Sequence, residues 1–379
     1  MTPFMSDLCF ATAVELAARI RNREISVCEV MQAHLDQIEK VNPKVNAICT
    51  LLGEQAMDQA KRHDKILRNA KASGALFGLP IAHKDLVATK DIRTTFGSPI
   101  YKDFIPQTES VMVERLRAAG AITIGKTNTP EFGFKGVTDN RPFGATRNPW
   151  NLDFSPGGSS GGTAAAVASG MIPLATGSDG GGSIRIPASV CGFSGFKPSQ
   201  GRVPMGGKLA PGSGILSVKG PMALRIRDVA YALDAVLRGD PTDIFALPDP
   251  IESWRAALNR ENQPQRVVWS PTMGFADVDS EILERCEAAI ALLQDAGVEV
   301  VRRTTIWEKD PFGMWYRFWT AARARAQGHL RNTSGWDRID KDLQPQIEHG
   351  LEKVSGVDYA NAVDACHYLN AQLVETFRE

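Results

Sequence analysis

The chain carries no net charge: 43 basic residues balance 43 acidic ones across 379 positions. It has no basic run and no interleaving of basic with aromatic residues. That excludes electrostatic capture of nucleic acid or of an anionic membrane surface as its working principle. No apolar stretch is long enough to span a bilayer. The first residues, MTPFMSDLCFATAVELAARI, lack the basic start and unbroken apolar core of a secretory signal. The six cysteines (Cys9, Cys28, Cys49, Cys191, Cys286, Cys366) are scattered with no C-x-x-C, and read as reduced and mostly structural, which favours the cytoplasm. These absences predict a soluble, cytoplasmic chain without metal or cofactor. No internal repeat or low-complexity tract is found.

What is present concentrates between Ser155 and Ser183, SPGGSSGGTAAAVASGMIPLATGSDGGGS. Two glycine turns, Gly157–Gly162 and Gly180–Ser183, flank an apolar segment. Thr163 to Gly170 reads as a buried alanine-rich helix, and Ile172 to Thr176 as a short buried strand. Three functions are compatible with such turns. A flexible Gly/Ser linker would lack the buried apolar insert. A phosphate-binding loop needs a lysine after its glycines, and none follows here. A serine nucleophile beside an oxyanion hole of successive backbone N–H groups uses both turns.

A second informative run is Leu79 to Val87, LPIAHKDLV, a buried strand ending in His83, Lys84 and Asp85. Lysines are rarely buried unpaired. Desolvation disfavours the ammonium, which would make Lys84 available as a neutral base. The competing reading is a structural ion pair of Lys84 with Asp85 or another acid. His83 has the chemistry of a general base but no supporting histidine or acid motif, and reads as a structural neighbour.

Together these runs resemble the amidase signature family. The matching segments are GLPIAHKDL at 78–86, SPGGSSGG at 155–162 and GSDGGGSIRIPASVCG at 177–192, with FGATRNPWN at 143–151 and GFKPSQGRVP at 195–204 also typical. Continuous similarity runs from about Leu76 to Pro221. The resemblance implies an α/β fold, a mixed β-sheet core covered by helices on both faces. It implies hydrolysis of the C–N bond of a small carboxylic amide through an acyl-enzyme. Carried over by motif, Ser183 is the nucleophile and Ser159, after a cis Gly158–Ser159 peptide, the bridging hydroxyl. Lys84 is the general base, and the N–H groups of Gly180, Gly181, Gly182 and Ser183 form the oxyanion hole. Ser160 is the rival for the bridging role, while Ser155, Asp179 and Arg185 order the loops. No cofactor is implied; the partner is the amide substrate, and a homodimer is possible.

Two other functions stay open at this stage: the glutaminase subunit of a glutamyl-tRNA amidotransferase, and a non-catalytic scaffold with the same fold.

Along the rest of the chain, residues 1–75 read as a helical layer, 76–221 as the catalytic core, and 222–379 as a second α/β and helical part. Helices are expected at Thr12–Arg21, from Ser26 to about Val41, over Gly53–Ala72, Ser110–Ala119, Ile226–Leu237 and Asp279–Ala296. Strands are expected at Val45–Leu52, Ala121–Lys126, Arg266–Trp269 and Val298–Arg303. Phe193–Pro221 reads as loop, Arg238–Gln265 as a surface excursion, and everything after Ile306 as helical. Phe132, Phe134, Arg141 and Phe143 fall on loops that either line the site or pack the core. The chain ends inside an amphipathic helix without a C-cap signal, where family members usually continue, so a C-terminally truncated chain is expected.

Overall fold

In the three parallel strands at the centre of the sheet, the polar side chains that matter are all carried toward one end. The computed structural model describes residues 3–70, 72–207, 214–260 and 264–378. The chain divides into two units, one of residues 1–259 with 334–340, the other of residues 260–333 with 341–379.

The first unit is built on five strands: β1 (Ile48–Leu51), β2 (Pro80–Lys84), β3 (Ile122–Thr127), β4 (Leu174–Asp179) and β5 (Val218–Met222). Their spatial order is β1-β3-β2-β4-β5. β2 runs parallel to both neighbours, while the outer strands β1 and β5 run antiparallel, so the sheet is mixed. All five residues of β2 are buried. A strand buried on both faces reads as a continuous apolar run rather than an alternation, as the segment around Ile81 does.

Helices cover this sheet. They are α1 (Pro3–Phe10), α2 (Ala13–Arg21), α3 (Val27–Val45), α4 (Gly53–Asn69), α5 (Val111–Ala118), α6 (Gly161–Ala168), α7 (Arg185–Val190), α8 (Ile226–Val236) and the short α9 (Trp254–Leu258). Thr12 and Ser26 close capping boxes with Glu15 and Glu29, which fixes where α2 and α3 begin. α3, α4 and α8 press leucine, isoleucine and valine against the strands in one continuous core. α6 touches all five strands. It can do so because it is made of glycine, alanine, threonine and valine. A Cβ at Gly162 would lie 2.3 Å from the backbone nitrogen of Asn128, so only glycine lets the helix start this close to the end of β3.

The second unit has a two-stranded parallel sheet, β6 (Arg266–Trp269) with β7 (Glu299–Arg302), joined by α10 (Ser280–Asp295). Asp279 caps α10 by accepting from Glu281 N at 2.9 Å, and Gly297 beyond its end has φ +84°. α11 (Phe312–Gln327) packs on α12 (Gln344–Glu352) and α13 (Gly356–Arg378). Trp315 and Trp319 form a ring ladder with Phe312 along α11. Among the described residues no helix is long and apolar enough to cross a membrane.

Three elements differ from the sequence-based expectation. β5 lies inside the stretch read as loop, of which residues 208–213 fall outside the described residues. Its sequence VKGPM hides the pattern, because Pro221 cannot donate to a ladder. That is tolerated at the sheet edge, where Pro221 sits opposite Thr176. α7 is hidden in the same way by Pro187. The segment after Ile306 is not helical throughout: residues 331–343 run mostly as turns, and Ser334–Asp340 belongs to the first unit. It is held there by Arg141 Nη1 on the carbonyls of Asp337 and Arg338, and by Asp340 N on Glu131 Oε2 at 2.6 Å. Lys71, at the expected end of α4, and residues 261–263 of the expected excursion lie outside the described residues.

A second buried lysine stands on the strand beside β2. Lys126 donates to Val87 O (2.7 Å), Thr94 Oγ1 (2.8 Å) and Thr89 Oγ1 (3.0 Å), and lies 3.8 Å from Asp85 Oδ1. Burial lowers its pKa to about 8 against the opposing pull of Asp85. Breaking a buried pair leaves the other charge without compensation. Lys126→Met is therefore expected to destabilise the protein by about 3–5 kcal/mol, measured by equilibrium urea unfolding; a loss below about 1 kcal/mol would show that the hydrogen bonds of the loop 85–95 hold without it.

Candidate active site

Lys84 closes β2 with no exposed surface. Its Nζ donates to Ser159 Oγ at 2.7 Å and to Ser178 Oγ at 3.0 Å. Asp85 is not its partner. Successive side chains leave a strand in opposite directions, and Asp85 turns to Thr95 N at 3.0 Å and to Lys126. His83 turns away too, between Thr123 Oγ1 (3.2 Å) and Thr176 Oγ1 (3.4 Å). Burial, with the charges of Lys126 and Arg117, lowers its pKa to about 3.

Ser159 enters this site from the turn before α6. The Gly158–Ser159 peptide is cis. Gly133, at φ +68°, lies directly over the Ser159 hydroxyl: an added Cβ would stand 3.1 Å from Oγ and 2.6 Å from Leu86 Cδ1. The 131–133 turn is itself tied to the loop after β2, Phe132 N donating to Phe96 O at 2.8 Å. Ser160, the adjacent serine, faces elsewhere. Its Oγ donates to Ser178 O at 3.3 Å and accepts from Ser178 N at 3.4 Å, while its N–H donates to Ser183 O at 3.2 Å. Ser160 thus ties α6 to the end of β4 rather than bridging to Lys84.

β4 ends at Asp179, and the loop Gly180–Ser183 follows. The Asp179 carboxylate, fully buried, shapes that loop. It accepts from Gly182 N (2.8 Å), Ile184 N (3.2 Å) and Arg185 N (3.3 Å), and from Arg185 Nε and Nη2, both at 2.9 Å. Burial pushes its pKa up, but the guanidinium and the backbone donors outweigh this and hold it below the usual carboxylate range. Gly182, one of four donors expected for an oxyanion, is therefore committed to Asp179. The N–H groups of Gly180, Gly181 and Ser183 have no acceptor among the described residues. Ser183 is half-buried, and its hydroxyl makes no hydrogen bond among the described residues, with Ser159 or any other group. Ser155 accepts from Gly157 N at 3.2 Å and orders the first glycine turn.

The structure thus brings Lys84 and Ser159 into direct contact and anchors the Ser183 backbone beside them. The hydroxyl of Ser183 is left unattached. All three lie at or just beyond the carboxyl ends of parallel strands, the side on which open α/β sheets bind ligands. Phe132 packs edge-on to Tyr101 and Phe143 lies under Arg93, so both have packing partners. Two residues escaped sequence reasoning. Gly133 carries no sequence signal beyond being a glycine after an aromatic. Ser178 stands inside the GSDGGGS motif, one residue before Asp179, and two residues along β4 from Thr176, whose Oγ1 accepts from Lys84 N at 3.2 Å.

Comparison with known proteins adds the following. A family model described as Amidase matches residues 29–378. An acylamidase of Rhodococcus erythropolis is 36% identical over 356 residues, covering 94% of this chain and 74% of the relative. A glutamyl-tRNA(Gln) amidotransferase component from Acinetobacter baumannii is 38% identical over 299 residues, 78% of this chain. The aligned part spans 60% of that relative's length. Among solved structures, a bacterial aryl acylamidase belonging to the amidase signature enzymes superposes with a TM-score of 0.88 at 28% identity, covering 97% of this chain and 77% of its own.

Gly133→Ala is expected to cost about 1 kcal/mol for a left-handed non-glycine residue and to lengthen the Lys84–Ser159 hydrogen bond by a few tenths of an ångström. A crystal structure of the variant with that bond still at its original length would show that Leu86 alone yields.

Proposed function

This chain belongs to the amidase signature family, and we propose that it hydrolyses amides through Ser183 as nucleophile, Ser159 as bridging hydroxyl and Lys84 as general base. The observation that carries this reading is the 2.7 Å contact between the buried Lys84 Nζ and Ser159 Oγ at the carboxyl end of β2. A buried lysine is a base when neutral, and the hydroxyl of Ser159 stands within its reach.

In the proposed sequence, Ser183 Oγ attacks the amide carbonyl carbon. Its proton passes to Ser159 Oγ as the Ser159 proton passes to Lys84 Nζ. The carbonyl oxygen becomes an oxyanion, received by the free N–H groups of the Gly180–Ser183 loop. One such donor is worth about 3 kcal/mol of transition-state stabilisation in comparable acyl-transfer sites. The C–N bond then breaks, and the leaving amine takes a proton returned from Lys84 through Ser159. Water attacks the resulting ester, giving its proton to the same relay, and releases the carboxylate and free Ser183. Asp179 keeps the loop in shape throughout.

Small carboxylic amides are the substrate class we infer, with aryl acylamides, suggested by the structurally similar aryl acylamidase, among them. Glutamine hydrolysis within an amidotransferase is the second reading, favoured by the 38% identity to the amidotransferase component. A panel of short acyl anilides against glutamine separates the two.

Ser183→Ala is expected to lower kcat by at least about 10³-fold while the thermal unfolding midpoint stays close to wild type. Residual turnover above about 5% of wild type would remove Ser183 from the nucleophile role.

The pH profile tests the base. Lys84 must be neutral to accept the Ser159 proton, so kcat/KM falls on acidification. His83 is already neutral above its depressed pKa of about 3 and cannot produce a limb near neutral pH. His83→Gln is expected to keep the acid limb where it is; a limb that vanished in this variant would transfer the base role to His83.

A further inference from the structure

We propose that Ser178 is a positioning residue for the base: its hydroxyl accepts one N–H of the Lys84 amine and thereby turns the nitrogen lone pair toward Ser159. The inference rests on the reading of Lys84 as the base and deepens it.

The geometry calls for such a group. A neutral amine has two N–H bonds and one lone pair in tetrahedral arrangement. If its side chain rotated freely in the site, it could offer an N–H to Ser159 as readily as its lone pair, and then it would accept nothing. Within hydrogen-bond range of Nζ stand Ser159 Oγ at 2.7 Å and Ser178 Oγ at 3.0 Å. Ser159 must donate during attack. With Ser178 accepting an N–H, the amine keeps its lone pair for Ser159. When the proton arrives, the same Ser178 oxygen faces an ammonium, and a hydrogen bond to a charged donor is the stronger kind. Ser178 therefore acts before and after proton transfer.

Its own position is built in. The Ser178 N–H and carbonyl are both held by the Ser160 hydroxyl, at 3.4 and 3.3 Å. On the other side Ser178 pairs with Lys219 across the antiparallel β4–β5 ladder. This gives Ser160, displaced from the bridging role, a purpose: it fixes the strand end that carries Ser178.

The charged groups around this point are accounted for. His83 is neutral, Asp85 faces Lys126, and Asp179 is held by Arg185. Burial lowers the pKa of Lys197 and takes Lys126 and Lys219 down to about 8. Lys126 points into the 87–94 loop, so Lys219, opposite Ser178, is the group to control for.

The test measures the rate at which a fluorophosphonate labels Ser183 in the full chain, as a function of pH; this reports nucleophile activation without a known substrate. An acceptor favours the ammonium, so removing it moves the acid limb to lower pH. Ser178→Ala is expected to label about tenfold more slowly, the worth of a lost hydrogen bond to a charged group, with the limb displaced downward by about one pH unit. Ser178→Thr, which keeps the hydroxyl, restores both. Ser178→Cys, similar in size but a weak acceptor, is expected to match Ala and replaces it should Ala not fold. Lys219→Met leaves the limb in place. Wild-type labelling in Ser178→Ala, or slower labelling with an unmoved limb, overturns the proposal. A wild-type protein that fails to label at all, or a Lys84→Ala variant that labels normally, overturns instead the base reading beneath it.

Discussion

A buried amine within 2.7 Å of a serine hydroxyl can be maintained only if three separate pieces of backbone hold their ends still. β2 supplies Lys84, the turn before α6 supplies Ser159, and β4 supplies Ser178 and the loop leading to Ser183. The strands are registered by their ladders, and α6 is brought down onto them by its small side chains. The polar links between these pieces are hydrogen bonds from hydroxyls and backbone rather than long flexible side chains. Ser160 joins α6 to β4, Asp179 closes the loop on itself, and Gly133 roofs the Ser159 hydroxyl. Short connections of this kind lose little conformational freedom when formed, which suits a site that must hold geometry to fractions of an ångström.

The two buried lysines of the sheet show how surroundings decide what a residue does. His83 of β2 and Lys126 of β3 are register partners, so Lys84 and Lys126 are neighbours in the same sheet. Lys126 is surrounded by a carbonyl, two threonine hydroxyls and the Asp85 carboxylate, all acceptors suited to a cation. Its task is to hold the 85–95 loop. Lys84 faces serine hydroxyls, which can both give and receive a proton. The carboxylate that would have made Lys84 a structural cation is directed to the other lysine by the alternation of the strand.

Much of this was legible in the residues. The glycine turns around an alanine-rich helix, the apolar run ending in Lys84 and the alternation of strands and helices locate the parallel core. Capping residues such as Ser26 and Asp279 locate helix starts to within a residue. What escaped did so for physical reasons. β5 and α7 contain proline, whose penalty depends on whether the missing N–H faces a neighbour, and that is a property of the finished sheet. In the sequence Ser159 is singled out over its rival Ser160 only through the family resemblance, because the two are chemically identical neighbours that differ in the direction of the hydroxyl. Ser178 lies in plain view within its motif. Its contact with Lys84 needs β2 and β4 to be adjacent, which is a statement about topology. Gly182 was expected to face a ligand and instead faces Asp179, because a carboxylate three residues back reaches its N–H first.

The separation of these residues along the chain has a kinetic consequence. Lys84 and Ser159 are 75 residues apart and Lys84 and Ser178 are 94 apart, with β3 threaded between β2 and β4 in sequence but not in space. Contacts that distant form late, after the loop-closure entropy has been met by the rest of the sheet. No helix pair or hairpin that folds early contains both the base and the hydroxyl it serves. A nascent or half-folded chain is therefore chemically silent, and reactivity switches on only when the parallel core closes.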